Sequence, residues 1–386
     1  MKNGLFYGTG FNEKNTRGRR DDDAARQAVE AGEVPQTAGH RAKARRGEKI
    51  TIGVIGGSIT EAGPAIPPPE RYGGILQAWW QKAFANALVD LINAGVGATR
   101  SDYGALRVQR DLLRFKPDLV VLEFAVNDPP TREYAESYEG MVRQILTSAH
   151  TPALVLLFMT QKNRVTAQVW EQKIGAHYQL MMISYHEALW HELRAGRLTW
   201  DQFYPDHVHP NPAGHSLVGT LLTEAMERAL EPFNPPPSPT AVQPLPVPLI
   251  SAVFENTLFL DAQDMIPSVQ QGWTFDRSGK EPAGWRCATP GSIIEFEISG
   301  QQLYLLFWKV NGPMGQVRAT VDGRNPIMLD AWFEETWGGY PHMERISGIL
   351  QQSNHVLRIE LLSDKNQQST GNEFRLLCIG STLVRV

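Results

Sequence analysis

The chain has 386 residues, 42% of them hydrophobic and 20% charged, and a formal net charge of -4. At typical domain sizes of about 100 to 200 residues this length predicts two domains. The charge balance leaves no basic surplus for nucleic acid or anionic lipid, so neither is expected as a partner. Met1 to Tyr7 lacks the roughly 7 to 15 residue apolar core of a secretion signal, and no apolar run of about 18 residues occurs, so the sequence reads as cytoplasmic with no membrane partner. The two cysteines, Cys287 and Cys378, show no CxxC spacing and read as free thiols rather than as a metal knuckle or disulfide framework.

Residues 1–48 are polar, with Arg17-Gly18-Arg19-Arg20 followed at once by Asp21-Asp22-Asp23. Opposite charges so close predict a solvated or packed-on arm rather than a domain. From Lys49 apolar runs at 50–55, 89–94, 119–126, 153–159 and 180–184 alternate with helical patterns at about 71–87, 101–114, 132–149, 164–176 and 212–230. Continuous apolar strands separated by helices are the pattern of a parallel sheet covered on both faces. This predicts an α/β domain over 49–230, three layers in α/β/α order with a flavodoxin-like strand order.

Prolines 232, 235, 236, 237, 239, 244, 246 and 248 exclude helix and central strand over 231–250 and predict an extended linker. Beyond it, short alternating runs at 292–298, 302–308, 317–321, 355–361 and 374–379 are separated by turn signals such as Ser299-Gly300 and Asp322-Gly323. Residues 251–386 therefore read as an all-β sandwich, jelly-roll-like.

Four segments in the first domain carry chemistry. Ser58 follows the first strand behind Gly56 and Gly57, where open α/β sheets place their sites and where a starting helix offers free amides to an oxyanion. Alone, it reads first as a helix-capping serine in a Gly-rich turn and only second as a nucleophile. The loop Asn93 to Thr99 is built of small residues that let a backbone amide approach a ligand, or simply of a tight turn. Asn127, ending the third strand, offers a neutral side-chain donor or a cap.

Asp206 and His209, three apart before the last helix, suit a carboxylate that orients an imidazole acting as general base toward Ser58. His207 and His215 stand nearby, but Asp-x-x-His lacks HExxH spacing and a partner cysteine, so no metal and no cofactor is expected. The order Ser58, Asn127, Asp206, His209 is compatible with one sheet edge.

Together these blocks resemble the SGNH, or GDSL-type, hydrolase superfamily over about residues 49–230. The resemblance implies Ser58 as nucleophile, His209 as base, Asp206 as its orienting carboxylate, and an oxyanion hole from the Ser58 and Ala98 (or Gly97) amides with Asn127. Gly57 stands where the common motif has aspartate, and the usual second-block glycine aligns with Ala98, beside Gly97. The stretches Asn93 to Ser101 and Glu123 to Asp128 are similar to a bacterial branch with a C-terminal β-domain, which implies a carbohydrate esterase removing O-acetyl groups from xylan- or mannan-derived oligosaccharides. A lipid-directed acylhydrolase or thioesterase, and a glycan-binding protein with a decayed site, are the alternatives.

Aromatic faces stack on sugar rings, and Trp332 and Trp337, in the stretch Trp332 to Tyr340 whose Gly338-Gly339 marks a loop, are the candidates for substrate contact in the second domain. Of Phe307 and Trp308, alternation predicts one in the core. Trp79 and Trp80 are expected to pack within a helix interface. Glu123, within an apolar strand, needs a partner, which Arg100, Arg107 or Arg110 would supply. The aromatic surface candidates make a homo-oligomer an expectation as well.

Overall fold

The structure is a computed structural model that describes residues 29–30, 35–230, 244–279, 281–351 and 353–384. The charge runs at 17–23 and most of the Pro-rich segment lie outside the described residues. The first domain comprises β1 (Val29–Glu30), α1 (Pro35–Arg45), β2 (Ile50–Gly56), α2 (Ser58–Glu61), α3 (Tyr72–Ala83), β3 (Val89–Gly95), α4 (Ser101–Asp111), β4 (Leu119–Glu123), α5 (Arg132–Leu146), β5 (Ala153–Phe158), α6 (Gln168–His177), β6 (Met181–Ser184), α7 (Tyr185–Arg194) and α8 (Pro212–Leu230).

The strands β3-β2-β4-β5-β6 are parallel, in the flavodoxin-like order, and β1 adds antiparallel to the β6 edge. The apolar runs are continuous because both sheet faces are covered: β2, β4 and β5 are buried over their whole lengths. One face packs on Leu76 and Trp80 of α3 and Val218 and Leu222 of α8. The other packs on Tyr138, Met141 and Val142 of α5 and on Ala105 and Leu106 of α4. Trp79 donates its indole N–H to Glu227 at 3.1 Å, so the Trp79-Trp80 pair serves the α3/α8 interface.

Three details differ from expectation. β4 ends at Glu123 rather than Val126, because the Asn127 and Asp128 amides both turn back to the Phe124 carbonyl at 3.0 Å. Helix α7 was not expected; it follows β6 with no Gly or Pro between, and Ser184 Oγ caps it by accepting from the Glu187 amide at 3.0 Å. The arm's last residues form α1, fastened by Lys43 Nζ donating to the buried Asp118 at 2.6 Å.

The second domain comprises β7 (Thr257–Asp261), β8 (Val269–Gln271), β9 (Thr274–Asp276), β10 (Gly284–Cys287), β11 (Ile293–Gly300), β12 (Gln302–Lys309), β13 (Gln316–Val321), β14 (Arg324–Asp330), β15 (Tyr340–Arg345), β16 (Ser353–Leu361) and β17 (Phe374–Thr382). They form two antiparallel sheets, β15-β12-β17-β10-β9 with β7 beside β17, and β14-β13-β16-β11-β8. Strands β7 to β10 are too short to show alternation, and Pro326 and Pro341 mask β14 and β15, so the sequence pattern shows only the five longer runs.

Both faces of β12 are used. Leu303, Leu305 and Phe307 enter the sandwich core, whereas Tyr304, Leu306 and Trp308 pack toward the first domain, against the cluster holding Leu106 and Phe254. Gly380 of β17 lies so close to α4 that a β-carbon there would stand 2.4 Å or less from a side chain, 2.3 Å from Leu106 Cδ1. The sheet therefore rests directly on α4. Glu139 closes the entry from the linker by accepting the Ile250 and Ser251 amides at 2.7 and 3.0 Å. Both cysteines are free and buried, Cys287 in the sandwich core and Cys378 in the seam between domains.

Gly380→Val tests this seam. Overpacking of a tight contact is expected to lower unfolding stability by about 1 to 3 kcal/mol, read by urea denaturation of the full chain; an unchanged midpoint contradicts the packing described.

Candidate active site

The carboxyl ends of β2, β3 and β4 approach one another more closely than side chains allow. A β-carbon at Gly56 would meet Thr60 Oγ1 at 2.2 Å, one at Gly95 the Glu61 amide nitrogen at 2.2 Å, and one at Gly57 the Asn127 carboxamide at 2.3 Å. Gly57, in the position of the common motif's aspartate, leaves space that Asn127 fills. Ser58 opens α2 as its first residue, so its amide has no acceptor within the helix.

Asp206 and His209 lie in the loop before α8. Asp206 Oδ1 accepts the Val208 and His209 amides, both at 2.7 Å, and Oδ2 stands 2.8 Å from His209 Nδ1. Burial works to raise the Asp206 pKa, but these amides and the imidazole overcome it and hold the carboxyl below its ordinary range. Since a carboxylate only accepts, Nδ1 carries the proton, and Nε2 is left to accept from Ser58 Oγ at 2.9 Å. Trp200 steadies the loop through its indole N–H on the Asp206 carbonyl at 2.8 Å, and Asn211 Oδ1 caps α8 through the Gly214 amide at 3.0 Å. His215 is buried, faces the Tyr72 amide at 3.4 Å, and is pushed down to about 4 by desolvation and Arg71. Among the described residues no cluster of three or more His, Cys, Asp or Glu side chains is placed to hold a metal ion.

The oxyanion donors differ in one member from expectation. Gly97 is corrected: its amide is already engaged by Glu61 Oε2 at 2.7 Å. The Ala98 amide has no acceptor among the described residues, and Ala98 adopts the left-handed region at φ 56°, the conformation that favours glycine. Asn127 Oδ1 is buried against Gly57, and its NH2 group has no acceptor among the described residues. Ser58, Ala98 and Asn127 thus offer three unspent donors around the serine, which is the equipment for holding an oxyanion.

Beneath the site lies a buried acidic group that sequence reasoning paired wrongly. None of the three arginines reaches Glu123: Arg100 bonds Asp102 and Met343, Arg107 bonds carbonyls and Asp111, and Arg110 pairs with Asp111 and Asp261. Glu123 accepts instead from Thr60 Oγ1 at 3.2 Å, and burial pushes its pKa up to about 8. Asp128 and Glu171 are likewise raised by burial, and Tyr138 is raised by burial and by these neighbouring carboxyls.

A cleft of about 280 Å³ opens beside the site, with Ala98, Arg100 and Asn127 on one wall and Phe333, Trp337 and Tyr340 of the second domain on the other. Trp337 is 61% exposed and stands edge-on to Phe333 at 5.3 Å and tilted on Tyr340 at 5.7 Å. Trp332 is corrected as a substrate contact: it is only 8% exposed and belongs to the sandwich core. Phe333 and Tyr340 were not singled out from the sequence, although the Gly338-Gly339 pair marked their loop.

Residues 54–217 match the GDSL-like lipase/acylhydrolase family. These residues form a domain of that family. Two crystal structures of a two-domain esterase active on acetylated mannans, one co-crystallised with mannopentaose, resemble the whole chain: each is 28% identical over 92% of this chain, with TM-scores of 0.84 and 0.85 and 96% and 97% of their own lengths covered. No curated protein matches this chain by sequence. The GDSL-like domain therefore occurs with a β-sandwich in a known arrangement.

Glu123 gives a pH test. The folded carboxyl keeps its proton up to about pH 8, whereas an unfolded one ordinarily loses it near 4.5. The folded state binds more protons across that window, so stability falls as pH rises through it. Glu123→Gln is expected to flatten this slope by about 1.4 kcal/mol per pH unit at most, measured by urea denaturation from about pH 5 to 8; an equal slope in both proteins refutes the neutral carboxyl.

Proposed function

We propose that this protein is a serine esterase that removes O-acetyl groups from acetylated oligosaccharides, mannan-derived ones first, through an acyl-enzyme. One observation carries the reading: the continuous hydrogen-bonded line Ser58, His209, Asp206 stands beside a cleft that holds Ala98 and Asn127 on one wall and aromatic side chains on the other.

Ser58 Oγ attacks the acetyl carbonyl while His209 Nε2 takes its proton. The Ser58 and Ala98 amides and Asn127 stabilise the oxyanion, and Asp206 stabilises the imidazolium. Collapse breaks the acyl–oxygen bond, and His209 returns the proton to the departing sugar oxygen. Water, deprotonated by His209, then cleaves the acetyl-serine and releases acetate and free Ser58. Phe333, Trp337 and Tyr340 present ring faces and edges suited to a pyranose, so the second domain supplies a sugar-binding wall. The whole-chain likeness to the acetylated-mannan esterase supports the mannan preference. An alkyl chain fits the cleft less well, since Arg100, Asp102 and His342 also line it. The intact triad geometry argues against a decayed site.

Ser58→Ala is expected to lose about three to six orders of magnitude in kcat and to leave acetyl units on manno- and xylo-oligosaccharides intact by mass spectrometry; near-normal deacetylation by the folded variant would falsify the assignment. Trp337→Ala is expected to raise KM on acetylated oligosaccharides roughly five- to tenfold, an effect on the order of 1 kcal/mol, with 4-nitrophenyl acetate turnover unchanged. Equal KM values for the glycan in both proteins contradict the sugar-binding wall.

A further inference from the structure

Ala98 offers an oxyanion amide from a backbone conformation, φ 56°, that a residue with a β-carbon adopts reluctantly. The chain around it is held within the GDSL-like domain at separate points. The Val96 amide donates to the Gly56 carbonyl at 3.1 Å, the Gly97 amide to Glu61, and the Thr99 hydroxyl to the Val96 carbonyl at 2.6 Å. Beyond it, the Ser101 amide donates to Asp128 Oδ1 at 2.9 Å. Arg100 lies between these holds, and its side chain reaches both domains.

The Arg100 guanidinium donates to the Met343 carbonyl of β15 at 2.9 Å, reaches Asp102 at 3.5 Å, and sits 5.0 Å from the centre of the Tyr134 ring. Met343 follows Tyr340, Pro341 and His342, which line the cleft from the second domain. A single side chain two residues from the oxyanion amide is therefore tied to the strand that carries the opposite wall.

We propose that Arg100 is a positioning residue through which the docked β-domain holds the Ala98 amide in its oxyanion-binding conformation. The inference rests on the serine-esterase reading of Ser58 and goes beyond it. The second domain then contributes to acyl transfer on any ester, including one with no sugar for the aromatic wall to bind.

The test uses the full chain and 4-nitrophenyl acetate, a substrate without a glycan. Arg100→Ala is expected to lower kcat about tenfold or more, a fraction of what losing a whole oxyanion donor does, with KM within about twofold. Arg100→Lys, which keeps a cationic donor, is expected to recover part of the loss. Adding Ala98→Gly to Arg100→Ala is expected to restore kcat to within about threefold of wild type, because glycine enters the left-handed region without steric opposition. Thermal melting establishes that each variant is folded, and Arg100→Gln replaces Arg100→Ala in the same comparison if the latter is not. Unchanged kcat in the folded Arg100 variant overturns the proposal. So does a loss that Ala98→Gly leaves unrepaired, which assigns Arg100 to the seam's stability alone. Absence of Ser58-dependent hydrolysis in the wild type overturns the esterase reading itself, and this inference with it.

Discussion

At the carboxyl ends of β2, β3 and β4 backbone meets backbone and carboxamide with no space for a β-carbon, and the site depends on that exclusion. Gly56 admits Thr60 against β4, Gly95 admits α2 against β3, and Gly57 admits Asn127 against the nucleophile's own turn. With side chains at these positions the serine, the loop bearing Ala98 and the asparagine would be pushed apart by ångströms, and catalytic geometry tolerates little of that. The Asp206–His209 turn needs no such crowding. It is self-contained, since one carboxylate oxygen organises two amides of its own loop while the other orients the imidazole.

This difference explains what was legible in the sequence. Four of the five parallel strands, β2, β4, β5 and β6, were readable because burial on both faces leaves largely apolar runs, whereas β3 at the edge is half-exposed, and Asp206 with His209 was readable because a local turn makes its spacing meaningful. Which amide of Gly97 and Ala98 is free could not be read locally. It is decided by Glu61, thirty-six residues away, capturing one of them. The partner of Glu123 was misjudged for a related reason: charge complementarity favours arginine, whereas the fold supplies a threonine hydroxyl and keeps the carboxyl protonated. Trp332 and Trp337 are alike in an irregular loop, where alternation has no period to follow, and only the packed structure separates core from cleft.

The polar interior beneath the site is uncommon for a sheet edge. Glu123, Asp128 and Glu171 are all buried, and Glu171 has neither carboxylate oxygen hydrogen-bonded among the described residues. Kept neutral, such groups place little charge under the oxyanion hole, whereas ionised they would oppose the negative charge that develops there. Burial thus works against negative charge on the floor of the site.

Helix α4 joins the two halves in more than one sense. Its N-terminal end follows directly from the oxyanion loop, and its outer face, at Leu106, carries the sheet containing Gly380. A module joined only by a flexible tether can be exchanged between enzymes by cutting the tether. Here the same helix serves as hinge-side support for one domain and as bed for the other, so a transplant of the β-sandwich onto a different GDSL-like domain must bring the outward face of α4 with it. The unit of exchange, in design or in descent, is the pair of domains together with the helix between them.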